Sequence, residues 1–184
     1  MKTYFPSKSA KDILCVLFVV LFFCAHIYLK VKYSPSFQAG NLTQAVTFNL
    51  PSLNNEVIDL EKLAKSHRIV IVNFWEQWCG PCLKEMPYLQ KIYEEHNQNE
   101  VAIIGIFSSS SKQSVEKFIS ENKITFPIVY DTSSAVNKKY NVKAIPSTFL
   151  IDSNLRIIKS STGFDQNLKN VVENYLKDMS RKST

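Results

Sequence analysis

The 184-residue sequence contains little glycine, little cysteine and no long tract of one charge. Only four glycines and four cysteines are present, and clusters of lysine or arginine with interleaved aromatic residues are absent. Nucleic-acid-binding proteins need such basic clusters, so their absence argues against this class of function. Hydrophobic residues make up 45% of the chain and charged residues 21%, which is typical of a globular protein rather than a disordered one. The length suffices for one domain with a buried core and a short additional segment.

The positive charge of the chain is concentrated at its N-terminus. Residues 1–32 contain five lysines and one aspartate, which give +4 of the net +6 of the whole chain. These lysines flank residues 13–29, an apolar run of 17 residues that would be roughly 25 Å long as a helix. We expect this run to be an uncleaved transmembrane anchor, with a cleaved signal peptide as the alternative. By the positive-inside rule, residues 1–12 are then cytoplasmic, and the chain beyond a linker at 30–44 is extracytoplasmic.

Residues 45–184 show hydrophobic patterns that predict an α/β domain. Two short alternating runs predict a β-hairpin, and continuous apolar runs predict strands that are buried on both faces. The predicted strands are residues 45–50, 56–60, 68–75, 101–107, 127–130, 147–151 and 155–160. The predicted helices run from the end of the Cys-x-x-Cys motif to about residue 96, and over residues 112–122, 135–140 and 165–179. Strands that alternate with helices indicate a central sheet with helices on both faces.

The motif Cys79-Gly80-Pro81-Cys82 lies where a predicted strand ends and a predicted helix begins. The reactive form of cysteine is the thiolate, which the free N–H groups and partial positive charge of a helix N-terminus stabilise. The spacing lets the two sulfurs form a disulfide without unwinding the helix, with Cys79 at the exposed edge and Cys82 more buried. Pro81 suits the first helical turn because its missing N–H is not needed there, and Gly80 adds no side chain near the reacting sulfur.

A zinc site and a structural disulfide are the alternatives to a redox-active pair. One Cys-x-x-Cys motif can be half of a zinc site, but the other half is missing here. Cys15 and Cys24 lie within the apolar run, and His67 and His96 are 29 residues apart. A structural disulfide would close a loop of only four residues and would remove little chain entropy. The motif therefore predicts a redox-active disulfide between its two cysteines, with no metal ion and no cofactor.

The segment from Asn73 to Pro87 resembles the active-site segment of thioredoxin-like proteins. It is most similar to the TlpA/ResA group of membrane-anchored, extracytoplasmic thiol–disulfide oxidoreductases, to which DsbE and CcmG are related. Residues 48–53 resemble the front hairpin of this group, and residues 144–152 resemble its cis-proline loop and the following strand. The resemblance covers about residues 45–179. It implies a thioredoxin fold, a central mixed sheet with helices on both faces, with an N-terminal β-hairpin extension.

The resemblance also implies roles for individual residues. Cys79 matches the attacking cysteine, which forms a mixed disulfide with the substrate, and Cys82 matches the resolving cysteine, which releases it. Pro146 matches the cis-proline that faces the dithiol. The backbone of Ile145 can pair with an extended substrate strand at this position.

The residues around the motif are expected to form the surface on which substrates dock. Trp78 would shield the disulfide and offer an apolar docking edge, with Gly80 and Pro81 as substrate-binding neighbours. Trp75 is expected in the core. Glu76 is interpreted as a turn residue without a role in the site.

The sequence departs from cytosolic thioredoxin at the buried acid before the active site, where it has Asn73. Asparagine cannot take a proton from Cys82. In the TlpA/ResA group a glutamate three residues after the second cysteine lies near the pair, and Glu85 occupies that position. We expect Glu85 to assist proton transfer or to tune the thiol pKa values, the alternative being an exposed charge in the first turns of the helix.

The Gly-Pro pair between the cysteines resembles thioredoxin, which is a reductant, and so favours the reduction of protein disulfides. The resemblance implies a bacterial inner-membrane protein with its domain on the periplasmic side. There it would be recharged by a transmembrane electron donor of the DsbD/CcdA kind. Apocytochrome c is an implied substrate, because its Cys-x-x-Cys-His motif must be reduced before haem attaches.

Three other classes of function fit the sequence less well. A peroxidase of the peroxiredoxin kind would share the fold but would not need a resolving cysteine three residues away. A copper chaperone of the Sco kind needs three residues between its cysteines and a distal histidine, and this sequence has neither. A non-catalytic redox-sensing or binding module would not need both cysteines.

Overall fold

The computed structural model of the protein describes Phe22, residues 43–96 and residues 100–182. The predicted cytoplasmic segment 1–12, the predicted anchor or signal peptide at 13–29 except Phe22, and nearly all of the predicted linker lie outside the described residues. Within the described part of the chain, no helix has the length and apolar character needed to cross a membrane.

A five-stranded mixed sheet forms the centre of the α/β domain. Its strands are β3 (Ile69–Phe74), β4 (Val101–Phe107), β5 (Ile128–Tyr130), β6 (Ser147–Asp152) and β7 (Ile157–Thr162), in the spatial order β5-β4-β3-β6-β7. β3 pairs in parallel with β4, and β4 with β5, whereas β6 runs antiparallel to both β3 and β7. Strands β3 and β4 are buried along their whole length, which explains their continuous apolar sequences.

The predicted N-terminal hairpin is present as β1 (Asn49–Pro51) and β2 (Val57–Asp59), which pair in antiparallel fashion. A hydrogen bond from Leu53 N to Ile128 O, 3.1 Å long, joins the hairpin to the edge strand β5. The sequence-based prediction extended the second strand to Leu60, and this was wrong because Leu60 begins a helix. The hairpin is therefore shorter than predicted and covers one edge of the sheet.

Helix α1 (Leu60–Ser66) was not predicted. The side chain of Asp59 begins it by accepting a hydrogen bond from Lys62 N at 3.1 Å, which satisfies one of the free N–H groups of the first turn. Leu60 and Ala64, one turn apart, are fully buried. Seven residues give too few turns for a clear helical period, so the pattern could not be separated from a strand followed by a loop.

Four further helices complete the domain, and helices lie on both faces of the sheet as predicted. They are α2 (Gly80–Glu95), α3 (Lys112–Glu121), α4 (Ala135–Lys139) and α5 (Leu168–Lys182). On one face, α2 and α5 contribute Leu89 and Val172 to a core with Ile103 of the sheet. On the other face, α1 contributes Leu60 to a core that contains Tyr140. This arrangement places the N-terminus of α2 directly after the central strand β3.

Candidate active site

The two cysteines of the motif form a disulfide at the N-terminus of α2, with their Cα atoms 5.2 Å apart. Cys79 is the N-cap residue of the helix, and its Sγ accepts a hydrogen bond from Cys82 N at 3.3 Å. Cys79 is 6% exposed and Cys82 is fully buried. The accessible sulfur is therefore the one at the helix terminus, where N–H groups stabilise negative charge.

The loop before β6 lies against this disulfide. The peptide bond between Ile145 and Pro146 is cis, and the carbonyl oxygen of Ile145 lies 3.8 Å from Cys79 Sγ. The sulfur carries no proton in the disulfide, so this is a contact in the oxidised protein, and it can become an S–H···O hydrogen bond after reduction. The structure thus brings both loop residues singled out from the sequence to the reactive sulfur.

Glu85 is fully buried one helical turn beyond Cys82. Its Oε2 accepts a hydrogen bond from Asn73 Nδ2 at 2.8 Å, and its Oε1 accepts one from Thr148 Oγ1 at 3.3 Å. Burial raises the pKa of Glu85 to about 7, although the two side-chain hydrogen bonds favour the charged form and act in the opposite direction. The alternative that Glu85 is an exposed charge is wrong.

Asn73 and Thr148 are register partners on the neighbouring strands β3 and β6, which explains how both reach the same carboxyl group. Asn73 Nδ2 also donates to Thr148 Oγ1 at 2.9 Å, whereas Asn73 Oδ1 is buried and has no hydrogen-bond partner among the described residues. Sequence reasoning missed Thr148. Its position one residue into the strand after the cis-proline loop, opposite Asn73, was the available signal.

Glu76 was interpreted from the sequence as a turn residue without a role, and this was wrong. It is 7% exposed, and its carboxylate accepts hydrogen bonds from Ser108 N (2.8 Å), Ser109 N (2.9 Å), Ser110 N (2.8 Å) and Ser110 Oγ (2.6 Å). These bonds tie the active-site loop after β3 to the loop after β4. Since β3 and β4 are parallel neighbours, their carboxyl ends meet at one edge of the sheet.

The remaining predicted site residues surround the disulfide. Trp78 is 66% exposed, and its Nε1 donates to Ser109 Oγ at 3.3 Å. Trp75 is buried, as predicted. Gly80 and Pro81 are exposed, and a Cβ atom at Gly80 would meet no atom within 4 Å, so packing does not require glycine there.

An open groove of about 660 Å³ lies between Trp78 on one side and Ile145 on the other. We call it the Trp78–Ile145 groove. Glu76 lies in its wall, and the exposed side chains of Lys138 and Lys143 line it from α4 and from the loop before β6. In the described parts of the chain, no group of three or more histidine, cysteine, aspartate or glutamate side chains is placed to hold a metal ion.

Comparison with known proteins places the domain in a family. The chain is 36% identical to the thiol-disulfide oxidoreductase ResA of Halalkalibacterium halodurans over 120 residues, which are 65% of this chain and 67% of that protein. It is 43% identical to ResA of Geobacillus kaustophilus over 94 residues, which are 51% of this chain and about half (54%) of that protein. The crystal structure of StoA from Bacillus subtilis is similar with 28% identity and a TM-score of 0.61, covering 73% of this chain and 98% of that one.

A mixed sheet with a disulfide at the N-terminus of the helix after its central strand, next to a cis-proline, defines a thioredoxin-fold dithiol–disulfide protein. The sequence profile of the AhpC/TSA family matches residues 42–160. The chain therefore belongs to the AhpC/TSA family and, within it, to the ResA-like thiol–disulfide oxidoreductases. The predicted thioredoxin-like fold of the domain and the predicted class of thiol–disulfide oxidoreductase are confirmed.

Proposed function

We propose that the protein is a reductant of protein disulfides that acts through Cys79 and Cys82 on the extracytoplasmic side of a bacterial membrane. The observation that carries this proposal is the position of the disulfide. It lies at the N-terminus of α2, with Cys79 Sγ 3.8 Å from the Ile145 carbonyl beside cis-Pro146. A substrate strand that pairs with the backbone of this loop brings its own sulfur next to Cys79.

The reaction transfers two electrons from the dithiol to a substrate disulfide. The Cys79 thiolate attacks one sulfur of the substrate disulfide, and the other substrate sulfur leaves as a thiolate and takes a proton. The Cys82 thiolate then attacks Cys79 Sγ in the mixed disulfide, and the second substrate sulfur leaves. The substrate gains two electrons and two protons, and the protein is left with the Cys79–Cys82 disulfide.

The helix terminus activates the first nucleophile. The N–H of Cys82 points at Cys79 Sγ from 3.3 Å, and it would donate to the thiolate after reduction. The partial positive charge of the helix N-terminus adds to this stabilisation. The sulfur of Cys79 therefore lies where a thiolate is stabilised, whereas the fully buried Cys82 does not face solvent.

We propose that Glu85 takes the proton of Cys82. Its carboxyl group has a pKa of about 7 and is buried one helical turn from Cys82, so it can change protonation state near neutral pH. A group with such a pKa can accept the Cys82 proton when that thiol must become a nucleophile. Asn73 and Thr148 hold the carboxyl group in place through their hydrogen bonds.

The location, the electron donor and the substrate are further parts of the proposal. Residues 13–29 would anchor the domain, and a transmembrane protein of the DsbD/CcdA kind would return electrons to the disulfide. Apocytochrome c is the proposed substrate, in line with the resemblance to the TlpA/ResA group. A disulfide-bonded peptide with the sequence Cys-x-x-Cys-His would serve as the test substrate.

The test is reduction of insulin disulfides by the full-length protein in detergent micelles, with dithiothreitol as the electron source. We expect turnover by the unmodified protein and its loss in Cys79→Ala and Cys82→Ala. The double variant Cys15→Ala/Cys24→Ala is the matched control and should keep full turnover, because these cysteines lie outside the motif. Absence of turnover, while the disulfide is intact and reducible by dithiothreitol, would refute the proposal.

Two additional measurements separate the alternatives. Cys82→Ala should trap the Cys-x-x-Cys-His peptide as a mixed disulfide on Cys79, since the resolving step is blocked. The reduced protein should react with hydrogen peroxide much more slowly than with the peptide disulfide. Faster oxidation by peroxide would favour the peroxidase alternative instead.

A further inference from the structure

The Trp78–Ile145 groove begins at the reactive sulfur and extends away from it. Ile145 contacts Cys79 at one end, and the exposed indole of Trp78 forms an apolar wall. Within the described residues, the backbone N–H of Ile145 has no hydrogen-bond partner, so this edge can pair with an added strand. The groove is therefore a continuation of the surface that a substrate strand would occupy.

The exposed charged side chains that line this groove are positive. Lys138 and Lys143 are exposed, and neither forms an ion pair with any residue in the described part of the chain. Glu76 is the acidic residue of the lining, but it is buried and its two oxygens already accept four hydrogen bonds. The carboxylate of Asp131, which follows β5, accepts hydrogen bonds from the first N–H groups of α4 and is buried.

The geometry points to one class of occupant. We propose that the Trp78–Ile145 groove binds an extended acidic segment of the substrate protein, and that Lys138 and Lys143 pair with its carboxylates. This inference rests on the proposed function, because the segment is the one that carries the disulfide under attack. Lys143 precedes Ile145 by two residues, which is roughly 7 Å along an extended chain. The acidic residues of the substrate would therefore lie within a few positions of its reacting cysteine.

The test compares three synthetic peptide disulfides that differ only in two residues next to the reacting cysteine: two aspartates, two asparagines or two lysines. The reduced full-length protein is mixed with each peptide in detergent micelles, quenched with acid and alkylated, and the second-order rate constant is taken from the loss of alkylated Cys79 and Cys82 in the protein. We expect the aspartate peptide to react about three- to tenfold faster than the asparagine peptide, and the lysine peptide to be slowest. Raising sodium chloride to about 0.5 M should remove most of this difference, because it shortens the screening length to about 4 Å.

The double variant Lys138→Glu/Lys143→Glu should reverse the order of the three peptides. Lys177→Glu is the matched control, because this exposed lysine of α5 lines a separate recess with His96 and Glu173 and none of the groove residues. Like each substitution of the double variant, it replaces a positive charge with a negative one. It should nevertheless leave the order of the three peptides and their rate constants unchanged. Circular dichroism and the thermal midpoint would establish that each variant is folded.

The outcomes separate this inference from the proposed function. If none of the three peptides oxidises the reduced protein, the disulfide-reductase proposal fails and the groove proposal fails with it. If all three react at equal rates, only the groove proposal fails. Equal changes in Lys177→Glu and in the double variant would also overturn it, since the preference would then come from net charge and not from the groove.

Discussion

Replacing Glu85 with glutamine should change how the stability of the oxidised protein depends on pH. Glu85 is fully buried, and burial raises the pKa of its carboxyl group from 4.5 to about 7 in the folded state. Between these two values the folded protein holds a proton that the unfolded chain has released. The free energy of unfolding therefore falls as the pH rises through this window, and the contribution of Glu85 to stability is present in full only below pH 4.5.

The size of this effect follows from the pKa values. Each unit of difference corresponds to about 1.4 kcal/mol, so the two values predict a loss of roughly 2–3 kcal/mol between pH 5 and pH 8. Glutamine has a similar shape and does not titrate, so this loss should be absent in Glu85→Gln. Glutamine also brings an N–H donor close to Asn73, whose Oδ1 is buried and accepts no hydrogen bond from the residues that the structure describes. The variant should therefore be more stable than the unmodified protein at pH 8.

Urea unfolding of the disulfide-bonded protein at a series of pH values between 5 and 8 measures this directly. The disulfide removes the titration of Cys79 and Cys82 from both proteins, and the histidines contribute equally to both, so the difference between the two curves isolates Glu85. Thr148→Val supplies a second check, because the loss of its hydrogen bond should raise the pKa of Glu85 above 7. Parallel curves for the unmodified protein and Glu85→Gln would refute the reasoning.

Two further predictions concern positions whose packing is visible in the structure. Glu76→Ala should lower the free energy of unfolding, measured with urea, by about 3 kcal/mol, because buried N–H groups would lose their acceptor. Gln77→Ala is the control, because the Gln77 side chain forms no hydrogen bond to the described residues, and it should lower this free energy by less than about 1 kcal/mol. Equal effects would contradict a role for the Glu76 carboxylate. Gly105→Ala should lower the thermal midpoint, at a cost of about 1–3 kcal/mol, because its Cβ would lie 2.6 Å from Ile128 Cδ1. Gly80→Ala is its control, since the added Cβ meets nothing within 4 Å, and an equal drop in both would contradict the packing argument.

The sheet and the reactive pair could be predicted from the sequence because local patterns encode them. The apolar runs at 69–74 and 101–107 are buried on both faces, and that burial leaves a continuous signal. The Cys-x-x-Cys motif combines a helix start with two thiols in a span of four residues. Helix α1 was missed because it has only seven residues and begins directly after a strand.

The hydrogen bonds of the site depend on contacts between distant parts of the chain, and these could not be predicted from local patterns. The partners of Glu76 lie 32 to 34 residues away, in a run of serines that has no helical or strand period. The partners of Glu85 lie 12 and 63 residues away. Once β3 is known to pair with β4 on one side and β6 on the other, both sets of contacts follow from the strand register.

The two buried glutamates near the motif differ in how well their surroundings support a negative charge, and this difference favours different roles for them. Glu76 accepts four hydrogen bonds, three of them from backbone N–H groups that keep their positions whatever the redox state of the cysteines. Glu85 accepts bonds of 2.8 Å from Asn73 and 3.3 Å from Thr148, and the backbone of Asp165 also supports its charge, but burial opposes that charge more strongly than these contacts support it. A carboxylate whose donors hold its charge suits the anchoring of a loop, whereas one whose burial outweighs its donors, with a pKa near 7, suits the exchange of a proton. The surroundings of Glu85, more than its residue type, therefore support the proposal that it exchanges a proton with the buried thiol of Cys82.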